Sequence, residues 1–580
     1  MPPISAGTSS ATGSGPSIGL VRAGSIFHAT APAAQRRTTR PINPIRDMGP
    51  SAGASWWRVA FNEGIAARGS RGGSEPVSIA ARPAAAWFAC SAQITELREE
   101  MGRNRRLETP FAHRLITSPL GALLDTRAFE RIKGRSLPRE MRLARIGAVA
   151  EATVAEGGDA ETLLEKLGLH GARSPQLRRR VAKAFARYVR DWHAHAAILK
   201  AWEGAFWSGE DLPTDALVDL EMRRRAASER CVTPGRTLGF LAKRADIAPV
   251  ACDIPHPEDS FTRWSETIEA PDALFAAPEE LPEFQRSRAV PGPAGPEYLL
   301  RFRSPSPLMA DTVHARVFEP AEGAETAPAF IYASGLGMAY DRIRYWPEED
   351  YIARPLAARG CRVILVESPW HGRRALPDRF SGEPYLATAP VGLFRLYAAQ
   401  AQETAALIGW ARRTGASALG VGGVSLGGIV SQHVAGRCAA WPEAMRPDMA
   451  FLGATSAHID EVVLGSEITR ALGVDAAVRA AGWTAERLRK LRPLLDPPAS
   501  PGIPPENVVA LLGRRDRYTP YALGRGLLDA WGVPPGNVLT WDRDHFGVLL
   551  GLFRSDDAQK RILGKLNEIR DTSRTSPPAQ

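Results

Sequence analysis

Acidic side chains are absent from the first 46 positions of this 580-residue chain, cysteine is scarce, and no apolar run approaches the roughly 20 residues that a membrane span needs. Each absence excludes something. The five cysteines (Cys90, Cys231, Cys252, Cys361 and Cys438) form no C-x-x-C pair and are odd in number. That argues for a reducing compartment and against a disulfide framework or a structural zinc site. The N-terminus has no apolar secretory core. Its serines, with Arg22, Arg36, Arg37, Arg40 and Arg46 ahead of the first acid at Asp47, match an organelle transit peptide in composition. A disordered tail, or a start at Met48, fits better, because the same alanine- and arginine-rich style runs through the whole chain. Arg36-Arg37 is followed by threonines and is not a twin-arginine export signal. A cytoplasmic location is the expectation.

The formal charge is +10 and the isoelectric point about 9.6. The excess is arginine scattered through helical segments without interleaved aromatics, so no nucleic-acid partner is expected. The length exceeds that of one ordinary domain, and the 44% apolar content is enough for a sizeable core.

Composition divides the chain. Residues 1–90 are rich in Ser, Gly, Ala and Pro without periodicity and are predicted to be a disordered tail; the Trp56-Trp57 pair marks a short apolar segment within it. Residues 91–250 read as helical. Ser174-Pro175 supplies a cap and first-turn proline, and Val181, Phe185, Tyr188, Trp192, Ala196 and Leu199 then recur at three- and four-residue steps. Further helices fit 139–155 and 160–168. The arginine triplets 178–180 and 223–225 are expected on solvated faces, and His193 and His195, two apart, on different faces of the helix. Residues 251–296 are a proline- and acid-rich linker. From 297 to 570 short buried strands alternate with helices, which predicts a mostly parallel sheet with right-handed crossovers, opened by an antiparallel pair at 298–302 and 314–318. Residues 571–580 are predicted to be a second tail.

Within the last region, Gly423-Val424-Ser425-Leu426-Gly427 lies between an apolar strand and a helix-compatible run. A serine at such a sharp strand-to-helix turn takes a strained backbone, so small residues are needed two before and two after it. A serine hydroxyl is a weak nucleophile and requires an imidazole base oriented by a carboxylate. Asp516 follows the strand ending Leu512-Gly513, and His545 follows the last strand. Asp460, after the preceding strand, is the alternative acid. His433 and His458 read as structural, His458 with access to the cleft. The oxyanion needs two backbone N–H groups. Leu426, next to the serine, supplies one, and the Ser334-Gly335-Leu336-Gly337 turn the other, with Leu336 the donor and Gly335 behind it.

These features, together with Arg303-Ser304-Pro305, Ala353-Arg354-Pro355, the Glu367-Ser368-Pro369 turn with Gly372 and Arg373, and Asp516 with Pro520, resemble the α/β-hydrolase superfamily. More narrowly, they resemble the α/β-hydrolase domain-containing protein 18 group. The resemblance covers about 298–565, with a weaker likeness near Ala197–Trp202, and implies an α/β-hydrolase fold; the all-helical region ahead of it, read from periodicity, has no counterpart in the group over 91 to about 190. It carries the triad onto Ser425, Asp516 and His545. The group usually has an aromatic residue where His371 stands, so that position's role is open. The expected activity is hydrolysis of a carboxylic ester, or a related acyl bond, through an acyl-enzyme. The alternatives are an acyltransferase with the same triad, or a catalytically silent binding protein. No metal and no organic cofactor is implied. Residues 455–506, between two core strands, are expected to form a helical lid. Its Val462, Val463, Leu464, Ile468, Leu472 and Trp483 point to an apolar acyl or alcohol group in a small-molecule substrate.

Overall fold

The computed structural model describes residues 116–119, 121, 126–169, 174–207, 212–232, 237–337 and 348–575; the expectations for 1–90, including Trp56-Trp57, lie outside the described residues. Ten strands form one sheet in the order β1-β3-β4-β6-β5-β7-β8-β9-β10, with β2 (Val290–Pro291) paired to β3. β1 (Gln285–Arg286), β3 (Pro296–Arg303) and β4 (Thr312–Phe318) are antiparallel to their neighbours. β5 (Ala329–Ala333), β6 (Arg362–Val366), β7 (Leu419–Val424), β8 (Met449–Gly453), β9 (Val508–Gly513) and β10 (Val538–Trp541) run parallel. β5 to β9 are buried along their whole lengths, as expected where helices cover both faces. Each fully buried Val, Leu or Ile side chain there contributes about 1.5–3 kcal/mol.

The helices that matter to the site are, in chain order, α1 (Arg127–Ala155), α2 (Ala160–Lys166), α3 (Pro175–Trp207), α4 (Thr214–Val232), α5 (Pro257–Glu269), α6 (Val391–Arg413) and α7 (Leu426–Arg437). Then follow α8 (Ile459–Gly465), α9 (Glu467–Leu472), α10 (Val474–Ala480), α11 (Tyr521–Ala530), α12 (His545–Arg554) and α13 (Asp557–Thr575). α1 begins a dozen residues before the predicted 139 and passes through Pro138. The segment 251–296 carries α5, β1 and β2, and α13 continues past position 571.

On α3, Val181, Phe185 and Tyr188 are buried as the periodicity requires, and His195 is buried against the Ser228 hydroxyl at 2.8 Å while His193 is exposed. The two arginine triplets part company. Arg178, Arg179 and Arg180 are exposed. Arg224 and Arg225, expected in solvent, are buried where α4 meets the sheet. Both bind Glu221, and Arg225 continues to Glu349 at 2.9 Å. Arg316 on β4 reaches Glu221 and Glu297, and Arg354 reaches Glu297, Glu349 and Asp350. Removing one member of such a buried network typically costs about 3–5 kcal/mol, because its partners keep their charge without compensation. Glu221 lies on α4 itself, one turn from both arginines, but the other members of the network, Glu297, Arg316, Glu349 and Arg354, come from elements far away in the chain, so arginine periodicity on α4 gave no sign of the burial.

Candidate active site

The strand β7 ends at Val424 and α7 begins at Leu426, with Ser425 at the corner in a strained conformation, φ 60° and ψ −122°. The turn is held by Ser425 N–H donating to Gly453 O at 2.9 Å and by Ile429 N–H donating to Ser425 O at 3.0 Å. Gly427 sits against the Ala333 carbonyl at the end of β5 so closely that a Cβ there would overlap the oxygen. A Cβ on Gly423 would collide with the same carbonyl and with Gly427. The two small residues of the motif therefore serve the approach of β7 and α7 to β5.

His545 opens α12 and directs Nε2 at Ser425 Oγ, 3.0 Å away. Its Nδ1 lies 2.7 Å from Asp516 Oδ2. This chain fixes the tautomer: Nδ1–H donates to the carboxylate and Nε2 accepts from the serine hydroxyl. Asp516 is buried and receives three further donors: Tyr518 N–H at 2.8 Å and Thr519 N–H at 3.0 Å on Oδ1, and the Thr519 hydroxyl at 2.9 Å on Oδ2. Burial pushes the His545 pKa down, but the charge and hydrogen bond of Asp516, with Asp544 beyond, outweigh it and raise the pKa above its ordinary value. Thr519 is a site residue the sequence reading missed. The Asp516-x-x-Thr519 spacing, typical of turns that fold a carboxylate back onto its own backbone, was the available signal.

Asp460, the alternative acid, faces elsewhere. Arg492 binds it through two hydrogen bonds, at 2.8 and 3.1 Å. His458 and Asp496 lie close enough to Asp460 to resemble a metal cluster, but Asp460 already has its cation in Arg492 and Asp496 accepts the Ile459 N–H at 2.9 Å. His433 is stacked between Phe275 and Tyr397 with ring centroids 5.1 and 4.9 Å away, and its Nε2 meets Leu495 O at 3.1 Å. Burial holds the His371 pKa down at about 4; its Nδ1 meets Pro369 O at 2.9 Å, and Nε2 is directed at Gly382, beside Leu336.

Of the oxyanion candidates, Leu426 is the first residue of α7, so its N–H has no partner within the helix. Gly335 lies beside Ser425, where even a Cβ would sit 3.9 Å from the serine Cβ, and Leu336 lines the cavity at the serine. That cavity encloses about 60 Å³. Its wall is Leu336, Tyr385, Leu386, Ala389, Leu393, Leu426, Ile429 and Tyr518, closed over by Ile459, Val462, Val463, Ile468 and Val474 from the segment between β8 and β9. Ser425, Thr469 and Thr519 are its polar groups. Trp483, grouped with the substrate-facing residues from the sequence, packs away from the cavity on Phe261 of α5, its indole N–H donating to Pro255 O at 2.8 Å.

A family model described as alpha/beta hydrolase domain containing 18 matches residues 301–464. No curated protein matches the sequence. Solved structures similar to this one include an acetyl xylan esterase from a Paenibacillus species, 15% identical over 50% of this chain and 91% of its own, with a TM-score of 0.35. Acetyl xylan esterase 1 from a Thermoanaerobacterium species is 16% identical over 52% of this chain and 96% of its own, with a TM-score of 0.34. An S-formylglutathione hydrolase from Agrobacterium tumefaciens is 17% identical over 48% and 98%, with a TM-score of 0.31. The fold is that of the α/β-hydrolases, and the segment 301–464 resembles the domain-containing 18 group.

Proposed function

Starting from an α/β-hydrolase fold, we propose that this protein is a serine hydrolase of the carboxylesterase class. Ser425 attacks the carbonyl of an ester or related acyl bond as His545 takes its proton through Nε2. Asp516 orients the imidazole and stabilises its charged form. The N–H groups of Leu426 and Leu336, with Gly335 allowing close approach, receive the developing oxyanion. His545 then protonates the leaving group, and a water molecule activated by the same imidazole hydrolyses the acyl-enzyme. The observation that carries this reading is the unbroken hydrogen-bonded chain from Asp516 through His545 to Ser425. Residues 455–506 act as the lid, and the apolar cavity takes the acyl group of a small-molecule ester. The cytoplasm is the proposed compartment: none of the four described cysteines forms a disulfide, and among the described residues no helix is long and apolar enough to cross a membrane.

A fluorophosphonate probe tests the mechanism. Labelling of the wild type and its loss in Ser425→Ala are expected; a folded wild type that is neither labelled nor active on p-nitrophenyl esters would overturn the reading. Product analysis with added alcohol or thiol acceptors separates hydrolysis from acyl transfer.

A further inference from the structure

We infer that Glu130, at the start of the N-terminal helix α1, is a positioning residue that locks the loops carrying Asp516 and His545 together. The inference rests on the hydrolase reading for its catalytic meaning and on geometry for its substance. Glu130 is buried in the first turn of α1, whose start is capped by the Thr126 side chain. One carboxylate receives donors from both loops. Arg515, the neighbour of Asp516, places its fork on Oε2 and Oε1 at 2.5 and 3.1 Å. The backbone N–H of Asp544, the neighbour of His545, donates to Oε1 at 3.2 Å.

Other features match this arrangement. Asp544 caps α12 with its side chain, accepting from Gly547 N–H at 2.8 Å, so its own N–H lies outside the helix and needs an external acceptor. Gly547 faces the carboxylate, and a Cβ there would run into Glu130 Oε1. Arg515 also binds Asp542 through Oδ1 at 3.1 Å and the main-chain oxygen at 2.7 Å, and Arg127 of α1 binds the second Asp542 oxygen at 3.0 Å. The same helix continues past the site: Lys133 lies 5.9 Å from the Phe546 ring centroid, Gly134 faces the Tyr518 hydroxyl, and Met141 approaches Gly337 of the oxyanion turn. The acid and base loops follow different strands, β9 and β10, so their relative placement within a few tenths of an ångström needs a tie between them. An error of about 1 Å in such an arrangement typically costs on the order of 10²-fold in rate.

The test is made on the full-length chain with Glu130→Ala, Glu130→Gln and Gly547→Ala. The control is Arg145→Ala, which cuts a tie of the same helix far from the triad, the Arg145 bond to Ala248 O at 3.0 Å. Two readouts are taken: kcat and KM on p-nitrophenyl acetate, and the downfield proton resonance of the His545 Nδ1–H in the resting protein. Glu130→Ala is expected to lower kcat by about 10- to 100-fold with KM within about 3-fold, and to broaden or remove the resonance. Glu130→Gln, which keeps an acceptor for Asp544 N–H, recovers part of both, and Gly547→Ala reproduces the loss from the opposite side. Arg145→Ala leaves kcat and the resonance intact. If Glu130→Ala does not fold, Glu130→Gln and Gly547→Ala carry the test. An unchanged resonance and kcat in the Glu130 and Gly547 variants, or equal losses in Arg145→Ala, would overturn the inference. An inactive, unlabelled wild type overturns the hydrolase reading instead, and the resonance still decides whether Glu130 positions the pair.

Discussion

The hydroxyl of Thr519 donates to Oδ2 of Asp516, the same oxygen that receives Nδ1–H of His545. The carboxylate therefore shares its charge between a fixed hydroxyl and the imidazole, and the hydroxyl moderates how strongly the imidazolium is held. Thr519→Val should lower kcat/KM by roughly 3- to 10-fold and make Asp516 a stronger partner for imidazolium, moving the acid limb of the pH–rate profile upward. Thr519→Ser should behave as wild type. A kcat/KM profile from pH 5 to 9 for the three proteins checks this.

His545 has a raised pKa, so its two contributions have opposite signs. As general base it must be neutral, and kcat/KM should rise with pH through a value above the ordinary histidine range of about 6.5. Its contribution to stability is fully present below the unfolded pKa and is lost as pH rises through the folded one. In Asp516→Asn the attraction that raises the pKa is gone while burial remains. The acid limb should shift to lower pH, and kcat should fall by on the order of 10⁴-fold. The pH profile and thermal midpoints at pH 6 and 8 measure both effects.

Ser425 occupies a backbone conformation that L-residues take at a cost of about 1–3 kcal/mol. Ser425→Gly relieves that strain and Ser425→Ala does not, though both remove the nucleophile. Both variants should be inactive toward the probe. The glycine variant should unfold at a higher temperature than the alanine variant in matched calorimetric scans, and equal midpoints would show that the corner is unstrained.

The cavity at Ser425 holds about 60 Å³, room for roughly four water-sized groups. p-Nitrophenyl acetate and butyrate should be turned over better than the octanoate ester. Val463→Phe should remove butyrate activity before acetate activity, and Val474→Ala should extend the accepted chain. kcat/KM across an ester series of increasing length reads this directly.

Glu348 is buried, and burial raises its pKa to about 8. Its Oε2 has no hydrogen-bond partner among the described residues. The contribution this protonated acid makes to stability is present below pH about 4.5 and is lost as pH climbs through about 8. Glu348→Gln, neutral at every pH, should flatten the loss of the thermal midpoint between about pH 5 and 8. A wild type whose midpoint does not fall in that window would count against it.

Local pattern alone determined a good deal of this protein. The apolar runs at 329–333, 419–424 and 508–513, short and set between helical segments, marked buried strands, and the glycines around Ser425 marked a turn that larger residues could not make. Asp516 and His545 were visible because each follows such a strand, and a parallel sheet delivers every loop of that kind to the same end. What tertiary structure decided lies between elements with no common period. The choice of Asp516 over Asp460 depends on Arg492 having already claimed the latter. The burial of Arg224 and Arg225 around Glu221 is completed by Glu349, from the segment after β5, and by Arg316 of β4 on the same carboxylate as the two arginines. Trp483 left the cavity because Phe261 of α5 offered it a ring and Pro255, just ahead of that helix, a carbonyl. Glu130 came to grip two loops 385 and 414 residues further on, a contact that only the docking of α1 could create.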